Sequence, residues 1–151
     1  MPIKVEIVTQ ERTVFEGHVD SVNLPGTEGR LGILPNHSPL LTTLAYGEVI
    51  VKQNGEEDYY AVGGGFAEVQ PEKVIVLADS AERSDEIDMD RAQNARDRAV
   101  KMMKEGVPED TERYAQIQAS LQRAQIRINV AQRRRRVRAT ATDLRSMDDE
   151  D

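Results

Sequence analysis

The chain contains no cysteine and no tryptophan, and its 151 residues include only two phenylalanines, four tyrosines and two histidines. The lack of cysteine excludes disulfides, thiol nucleophiles and thiolate-based metal sites. His18 and His37 alone are too few ligands for a structural zinc site, and neither lies in a context typical of a hydrolase. We therefore predict an aliphatic core, no metal site and no catalytic residue.

Long apolar segments are also missing. No run approaches the ~18 apolar residues that a membrane-spanning helix needs, and the first residues contain no apolar signal region. We expect a soluble chain that reaches a membrane only through partners. Charge is uneven, because residues 1–80 hold 5 Lys and Arg against 12 Asp and Glu, whereas residues 81–151 hold 15 of each. This asymmetry, in a chain of one-domain length, predicts two dissimilar parts.

Alternating hydrophobicity predicts short strands throughout the first part. Ile3, Val5 and Ile7 begin the pattern, and similar runs recur as far as residues 74–77 between turns rich in Pro and Gly. Asn54-Gly55 predicts a hairpin turn. The glycine run at residues 63–65 lacks the Lys and Ser or Thr of a phosphate-binding loop, so we interpret it as a strand bend or close backbone packing. No helical pattern intervenes, which favours an antiparallel sandwich or barrel.

The hydrophobic period changes at Ser84, which we predict to be the N-cap of a helix that ends near Lys104. Gly106 and Pro108 separate it from a second helix that begins near Thr111. Apolar residues recur at steps of three and four along the second helix, at Tyr114, Ile117, Leu121, Ala124, Ile128 and Ala131. The short connection predicts an antiparallel hairpin whose narrow apolar faces allow conditional docking.

An arginine-rich segment follows this seam. Between residues 113 and 142 there are eight arginines and no acid. Such a run is either a solvated face or a surface for an acidic partner, and its position on a continuing helix favours the partner. A nucleic-acid binder remains an alternative, but the chain is acidic overall and has no aromatic residues interleaved with the arginines. A free-standing nucleotide-sensing module is a second alternative.

Four stretches, in order, point to a known family: residues 29–40 (GRLGILPNHSPL), 64–71 (GGFAEVQP), 74–79 (VIVLAD) and 87–92 (IDMDRA). They resemble the epsilon subunit of the F-type ATP synthase, bacterial type, over residues 3 to about 132. The resemblance implies an N-terminal antiparallel β-sandwich of about ten strands over residues 1–84. It also implies a regulatory two-helix hairpin over residues 85–138, and we expect residues 139–151 to form a disordered tail with an acidic end.

The resemblance also implies a role. The subunit would be a non-catalytic part of the central stalk that turns with the rotor, requires no cofactor and helps couple proton translocation to ATP synthesis. Its partners would be the gamma subunit and the c-ring, with the alpha and beta subunits joining when the hairpin extends and inhibits ATP hydrolysis. It would sit peripherally at the cytoplasmic face of the bacterial cell membrane, held there through the complex.

Three sets of site residues follow from the resemblance. The c-ring contacts correspond to Glu28, Arg30, Leu31 and His37. The inhibitory contact with the beta subunit corresponds to Arg133, Arg134, Arg135 and Arg136. A regulatory ATP site, with the signature Ile/Leu-Asp-x-x-Arg-Ala, corresponds to Glu82, Ile87, Asp88, Arg91, Ala92, Arg98, Arg123 and Arg127.

The arginines of the third set share helix faces, because Arg91 and Arg98 are seven residues apart and Arg123 and Arg127 are four apart. Converging guanidinium groups suit a triphosphate. The alternative is that these residues are surface ion-pair partners, with Asp88 and Arg91 paired at a spacing of three.

Overall fold

Eight strands account for the described chain as far as Arg83. The computed structural model describes residues 1–106 and 109–148, with side chains as far as Arg133. The strands are β1 (Ile3–Val8), β2 (Thr13–Val19), β3 (Ser21–Gly26), β4 (Gly29–Ile33), β5 (Leu40–Thr43), β6 (Tyr46–Gln53), β7 (Glu56–Val69) and β8 (Lys73–Arg83). The predicted turn at Asn54 and Gly55 is confirmed, with φ angles of 54° and 80° between β6 and β7.

The strands pair in the order β2-β1-β8-β7-β6-β3-β4, and β5 pairs with β7. All these pairs are antiparallel except β1 with β8, which is parallel, so the expectation of a purely antiparallel sandwich is corrected at one pair. The described residues contain eight strands where about ten were expected. β7 and β8 are long, with 14 and 11 residues, and each pairs with more than one strand.

The core of the sandwich is aliphatic, as predicted. Ile3, Val5 and Ile7 are all fully buried and alternate with partly exposed residues along β1. Val74 and Val76 of β8 are also fully buried in this core. Tyr60 is the aromatic residue among its buried members. Because every member of this core cluster lies at or before Ala81, the sandwich has an apolar interior that does not depend on the hairpin.

The predicted strand bend at the glycine run is confirmed. β7 pairs with β6 as far as Gly63 and with β5 from Phe66 onward. Gly64 and Gly65, between these two pairings, have φ angles of 73° and 101°, which side chains other than glycine rarely adopt. The bend lets one strand pair first with β6 and then with β5.

The second part of the chain is a helical hairpin. A single 3₁₀ turn (Ser84–Glu86) leads into α1 (Met89–Lys104), and α2 (Thr111–Asp148) packs against α1. The N-cap of α1 is Asp88, whose side chain accepts a hydrogen bond from the Arg91 backbone N–H, and the predicted N-cap Ser84 is instead buried in the 3₁₀ turn. Ile87 has an extended backbone and separates the 3₁₀ turn from α1, so the first helix begins later than predicted.

The predicted seam of α2 is largely buried, with Ile117, Ala124, Ile128 and Ala131 all less than a tenth exposed. The backbone of α2 continues to Asp148, past the predicted hairpin end at residue 138 and into the segment expected to be a tail. Within the described part of the chain, no helix is both long and apolar enough to cross a membrane.

The hairpin is folded against the sandwich. α2 contacts β6, β7 and the 3₁₀ turn. A small apolar cluster joins the two parts: Val130 packs with Tyr59 and Ala61 of β7, and Ile50, Ile87 and Ile126 surround them. This cluster is much smaller than the sandwich core, so the docking depends strongly on polar contacts around it.

Candidate functional site

A cavity of about 430 Å³ lies between the sandwich and the hairpin. Four of the predicted ATP-site residues line it, namely Glu82 from β8, Arg91 from α1, and Arg123 and Arg127 from α2. The rest of the wall comes from the sandwich and from one apolar residue of α2: Tyr46, Ala61, Val62, Gly63, Asp79, Ser80 and Ile126. The fold therefore brings three arginines and one predicted carboxylate to a single opening.

Arg127 is held by Glu82. Its Nε lies 2.7 Å from Glu82 Oε2 and its Nη2 lies 2.9 Å from Glu82 Oε1, a two-point ion pair. The side chains of Arg127 and Glu82 are 20% and 34% exposed, so solvent screens this pair less than a fully exposed one. The pair both orients a guanidinium at the cavity and links α2 to β8.

Arg123 lies one helical turn before Arg127 and contacts Tyr46 in the cavity wall. Its Nη2 donates to the Tyr46 hydroxyl at 3.2 Å, and its Cζ lies 5.6 Å from the centre of the Tyr46 ring. Arg91 has no side-chain ion pair or hydrogen bond among the described residues, and its backbone N–H is the one capped by Asp88. Arg91 is thus the guanidinium best placed to accept a new anionic partner.

The balance of charge in the cavity favours an anion. Three guanidinium groups meet the carboxylates of Glu82 and Asp79, which leaves an excess of positive charge. An aromatic ring at Tyr46 and the aliphatic Ile126 form an apolar wall beside this charge. The combination suits a ligand that carries several negative charges next to a flat apolar group.

Asp88, Ile87 and Ala92, the remaining residues of the Ile-Asp-x-x-Arg-Ala motif, do not line the cavity. Asp88 caps α1, with its Oδ1 3.1 Å from the Arg91 nitrogen, so the ion pair considered as an alternative is instead a cap. Ile87 packs on the cluster that joins sandwich and hairpin, and Ala92 is fully buried. These residues position Arg91 through the start of the helix.

Arg98 lies apart from the other predicted arginines. It lines a different groove between the two helices, with Met102 and Arg113, and its Nε lies 3.4 Å from the carbonyl oxygen of Asn94. Seven residues of α-helix advance ~10 Å along the axis. Arg98 therefore shares a face with Arg91 without sharing the cavity.

Three of the four predicted c-ring contacts lie in the hairpin of β3 and β4, and the fourth follows it. Glu28 is exposed in the turn between β3 and β4, Leu31 packs against the edge of the core, and His37 is partly buried in the loop before β5. The side chain of Arg30 is bound within the sandwich, because its Nε donates to Asn23 Oδ1 at 2.6 Å and its Nη2 to the Glu48 carbonyl at 2.7 Å. Burial, and then the nearby positive charge of Arg133, lower the Arg30 pKa.

The first residue of the arginine run is already engaged within the chain. Arg133 forms an ion pair with Glu48 of β6. The side chains of Arg134, Arg135 and Arg136 lie outside the described residues.

An apolar surface that sequence reasoning missed lies on the outer face of β5, β7 and β8. Leu41, Phe66 and Leu77 are 71%, 49% and 45% exposed. Cross-strand pairing places Thr43 opposite Phe66, Phe66 opposite Leu77, and Leu41 opposite Glu68, so all of them project from the same face. We call Leu41, Phe66 and Leu77 the outer apolar face. Exposed groups of large apolar residues are typical of protein contact surfaces.

Comparison with known proteins gives consistent results. Residues 2–84 match the family model of the ATP synthase delta/epsilon chain β-sandwich domain, and residues 85–132 match the long α-helix domain of the same chain. The chain is 50% identical over 135 residues to the ATP synthase epsilon chain of Herpetosiphon aurantiacus, covering 89% of this chain and 98% of that one. It is 49% identical over 135 residues to the epsilon chain of Dehalococcoides mccartyi, with 89% and 95% covered.

A solved structure supports the fold. A chain in the cryo-EM structure of the Euglena gracilis mitochondrial ATP synthase (OSCP/F1/c-ring in rotational state 1) superposes with a TM-score of 0.70 at 24% identity, covering 80% of this chain and 76% of that one.

Proposed function

Because the chain belongs to the ATP synthase delta/epsilon family, as a non-catalytic subunit, we propose that it is a rotor subunit of the central stalk. In this role it binds the gamma subunit and the c-ring, and it helps couple proton translocation to ATP synthesis at the cytoplasmic face of a bacterial membrane. The observation that carries the proposal is the match of both domains, in order, over residues 2–132.

The outer apolar face is our candidate for the contact with gamma. It is apolar, it lies on the sandwich, and α2 leaves it uncovered because the hairpin packs on β6 and the first half of β7. Glu28, Leu31 and His37 stay our candidates for the c-ring, since they lie in or beside the exposed turns. Arg30 is a weaker candidate because its donors are used within the sandwich.

Replacing Phe66 with Ser is expected to weaken binding of purified gamma subunit about thirtyfold, because a buried aromatic anchor at an interface contributes ~2 kcal/mol or more. Titration of recombinant gamma measures the effect. Met102→Ser is the matched control, since Met102 is 48% exposed on α1 and lies outside the outer apolar face. Equal weakening by both variants, or none by Phe66→Ser, would move the gamma contact elsewhere.

We further propose that the hairpin has two positions. In one it is folded against the sandwich, and in the other it extends toward the alpha and beta subunits and inhibits ATP hydrolysis. The small cluster around Val130 supports this. Because few apolar residues hold the hairpin, replacing this docking by another costs only a few kcal/mol. In the extended position the run from Arg133 to Arg136 would meet carboxylates of the beta subunit.

ATP is our proposed regulatory ligand for the folded position. Arg91, Arg123 and Arg127 would bind the phosphates, with Tyr46 and Ile126 against the base. The cavity is formed jointly by sandwich and hairpin, so a ligand bound there stabilises only the folded position. Linkage gives that stabilisation as RT ln(1 + [L]/Kd), about 2.7 kcal/mol at one hundred times Kd. The hairpin would stay in the folded position when the ATP concentration is high and be released when that concentration falls.

Calorimetric titration of the full chain with ATP tests this site. We expect Arg91→Ala and Arg123→Ala to lower the affinity by about tenfold or more, since each removes a charge-assisted hydrogen bond worth ~1.5–3 kcal/mol. Arg98→Ala is the matched control, because Arg98 lies on the face of Arg91 but lines another groove. No heat at millimolar ATP would exclude the site. An equal loss in Arg98→Ala would mean that the ligand binds in a different arrangement of the helices.

A further inference from the structure

The last turn of α2 whose side chains are described contacts the sandwich separately from the cavity. Arg133 forms an ion pair with Glu48 of β6, and its Cζ lies 5.1 Å from the centre of the Tyr59 ring on β7. Val130, one turn earlier, is fully buried against Tyr59 and Ala61. Glu48, Tyr59, Val130 and Arg133 therefore form one contact. None of these four residues lines the cavity, although the neighbouring Ala61 does.

The surroundings of this contact favour a cation. The Glu48 side chain is only 13% exposed, whereas Arg133 is 48% exposed. The Tyr59 hydroxyl donates to Glu57 Oε2 at 2.6 Å, and burial followed by this hydrogen bond raises the Tyr59 pKa to about 12. The ring thus stays neutral and can stack with a guanidinium at physiological pH. Arg30, whose Nη2 binds the Glu48 backbone carbonyl, lies nearby and carries the same charge as Arg133, so the two guanidinium groups repel each other.

We propose that Arg133 is a latch that holds the hairpin against the sandwich without nucleotide. The latch joins Arg133 to the Glu48 carboxylate and the Tyr59 ring over the buried Val130. It engages the first arginine of the basic run, so the folded position withholds Arg133 from any acidic partner. Release of the hairpin then exposes Glu48 to water and frees Arg133 at the same time. The device goes beyond ATP sensing, because it uses different side chains and needs no ligand.

Thiol labelling in nucleotide-free buffer tests the latch. The chain has no cysteine, so Ala61→Cys supplies one thiol at a position that is 5% exposed beneath α2. Its labelling rate reports the fraction of molecules in which the hairpin has left the sandwich. Ala67→Cys, in the sandwich core, reports unfolding of the sandwich itself. A latch variant should accelerate labelling of the first thiol and leave the second unchanged.

We expect Arg133→Gln to accelerate labelling of the thiol at position 61 about tenfold and Glu48→Gln about threefold. The larger effect of Arg133→Gln arises because it leaves a mostly buried carboxylate without its partner, whereas Glu48→Gln leaves a half-exposed cation. The double variant should be accelerated by less than the product of the two, which measures the coupling. Arg113→Gln, an exposed arginine of the same helix, is the matched control and should have no effect.

Three results would overturn the latch. Arg133→Gln without faster labelling at position 61 would show that the ion pair does not restrain the hairpin. Equal acceleration by Arg113→Gln would reduce the effect to the net charge of the helix. Fully multiplicative effects of the two latch variants would mean that Arg133 and Glu48 act independently.

Discussion

A chain that ends at Ser84 is expected to bind gamma as tightly as the full chain and to leave ATP hydrolysis by the assembled complex without inhibition by this subunit. The sandwich core cluster lies entirely at or before Ala81, so truncation removes none of its members. It uncovers the small cluster at Tyr59 and Ala61 and removes the α2 arginines that contact Glu48, Glu82 and Tyr46. It also removes Glu86, the ion-pair partner of Arg12. None of the residues of the outer apolar face takes part in these contacts, so that face stays intact.

The measurement is ATP hydrolysis by complexes reconstituted with either chain, together with gamma binding by titration. Circular dichroism establishes that the truncated sandwich is folded. Phe66→Ser in the truncated chain is the matched control, since it should remove anchoring while the hairpin is already absent. A folded truncated chain that fails to bind gamma would refute the assignment of anchoring to residues 1–84. Unchanged hydrolysis would refute the inhibitory role of the hairpin.

Much of the sandwich could be predicted from the sequence because its strands obey local rules. β1 alternates strictly between buried and partly exposed residues, and Asn54-Gly55 supplies the positive φ angles of a tight hairpin turn. β2 lacks such an alternation. Of its seven residues only Val19 is fully buried, so no two-residue period marks the strand. The parallel pairing of β1 with β8 depends on residues that are distant in sequence, which periodicity cannot reveal.

The candidate site could be predicted only as far as helix geometry extends. Spacing of four correctly places Arg123 and Arg127 together, because adjacent turns of one helix face the same way. Spacing of seven places Arg98 on the face of Arg91 but says nothing about how far along the axis the cavity reaches. Tyr46 gave no signal at all, since its role arises from the way α2 crosses β6.

Helix capping and the direction of Arg30 illustrate a second limit. Ser84 and Asp88 are both good N-cap residues with acids nearby, and local propensity does not choose between them. The choice follows from burial of Ser84 beneath the hairpin and from the extended conformation of Ile87. The resemblance makes Arg30 a c-ring contact, yet its side chain binds the Glu48 carbonyl across two strands. Such contacts depend on tertiary packing.

Replacing Gly65 with Ala is expected to destabilise the sandwich by ~2–5 kcal/mol, the largest loss we predict for a single methyl group in this chain. Gly65 has a φ of +101°, and an added Cβ would lie 2.0 Å from the Leu77 carbonyl oxygen and 2.9 Å from the Ala78 Cα. Both are backbone atoms of the paired strand β8, so neither can turn aside as a side chain could. The bend must open, and β7 loses its pairing with β8 around Ala78.

Gly55→Ala is the matched control for this prediction. Gly55 has a φ of +80° but nothing within 4 Å of the added Cβ, so the change should cost only the ~1–2 kcal/mol of an L-residue in that conformation. Urea unfolding followed by circular dichroism measures both variants without nucleotide. Equal losses would mean that close packing at the bend contributes nothing. Because Gly63, two residues earlier, forms part of the cavity wall, a bend opened by Gly65→Ala should also lower ATP affinity, whereas Gly55→Ala should leave it unchanged.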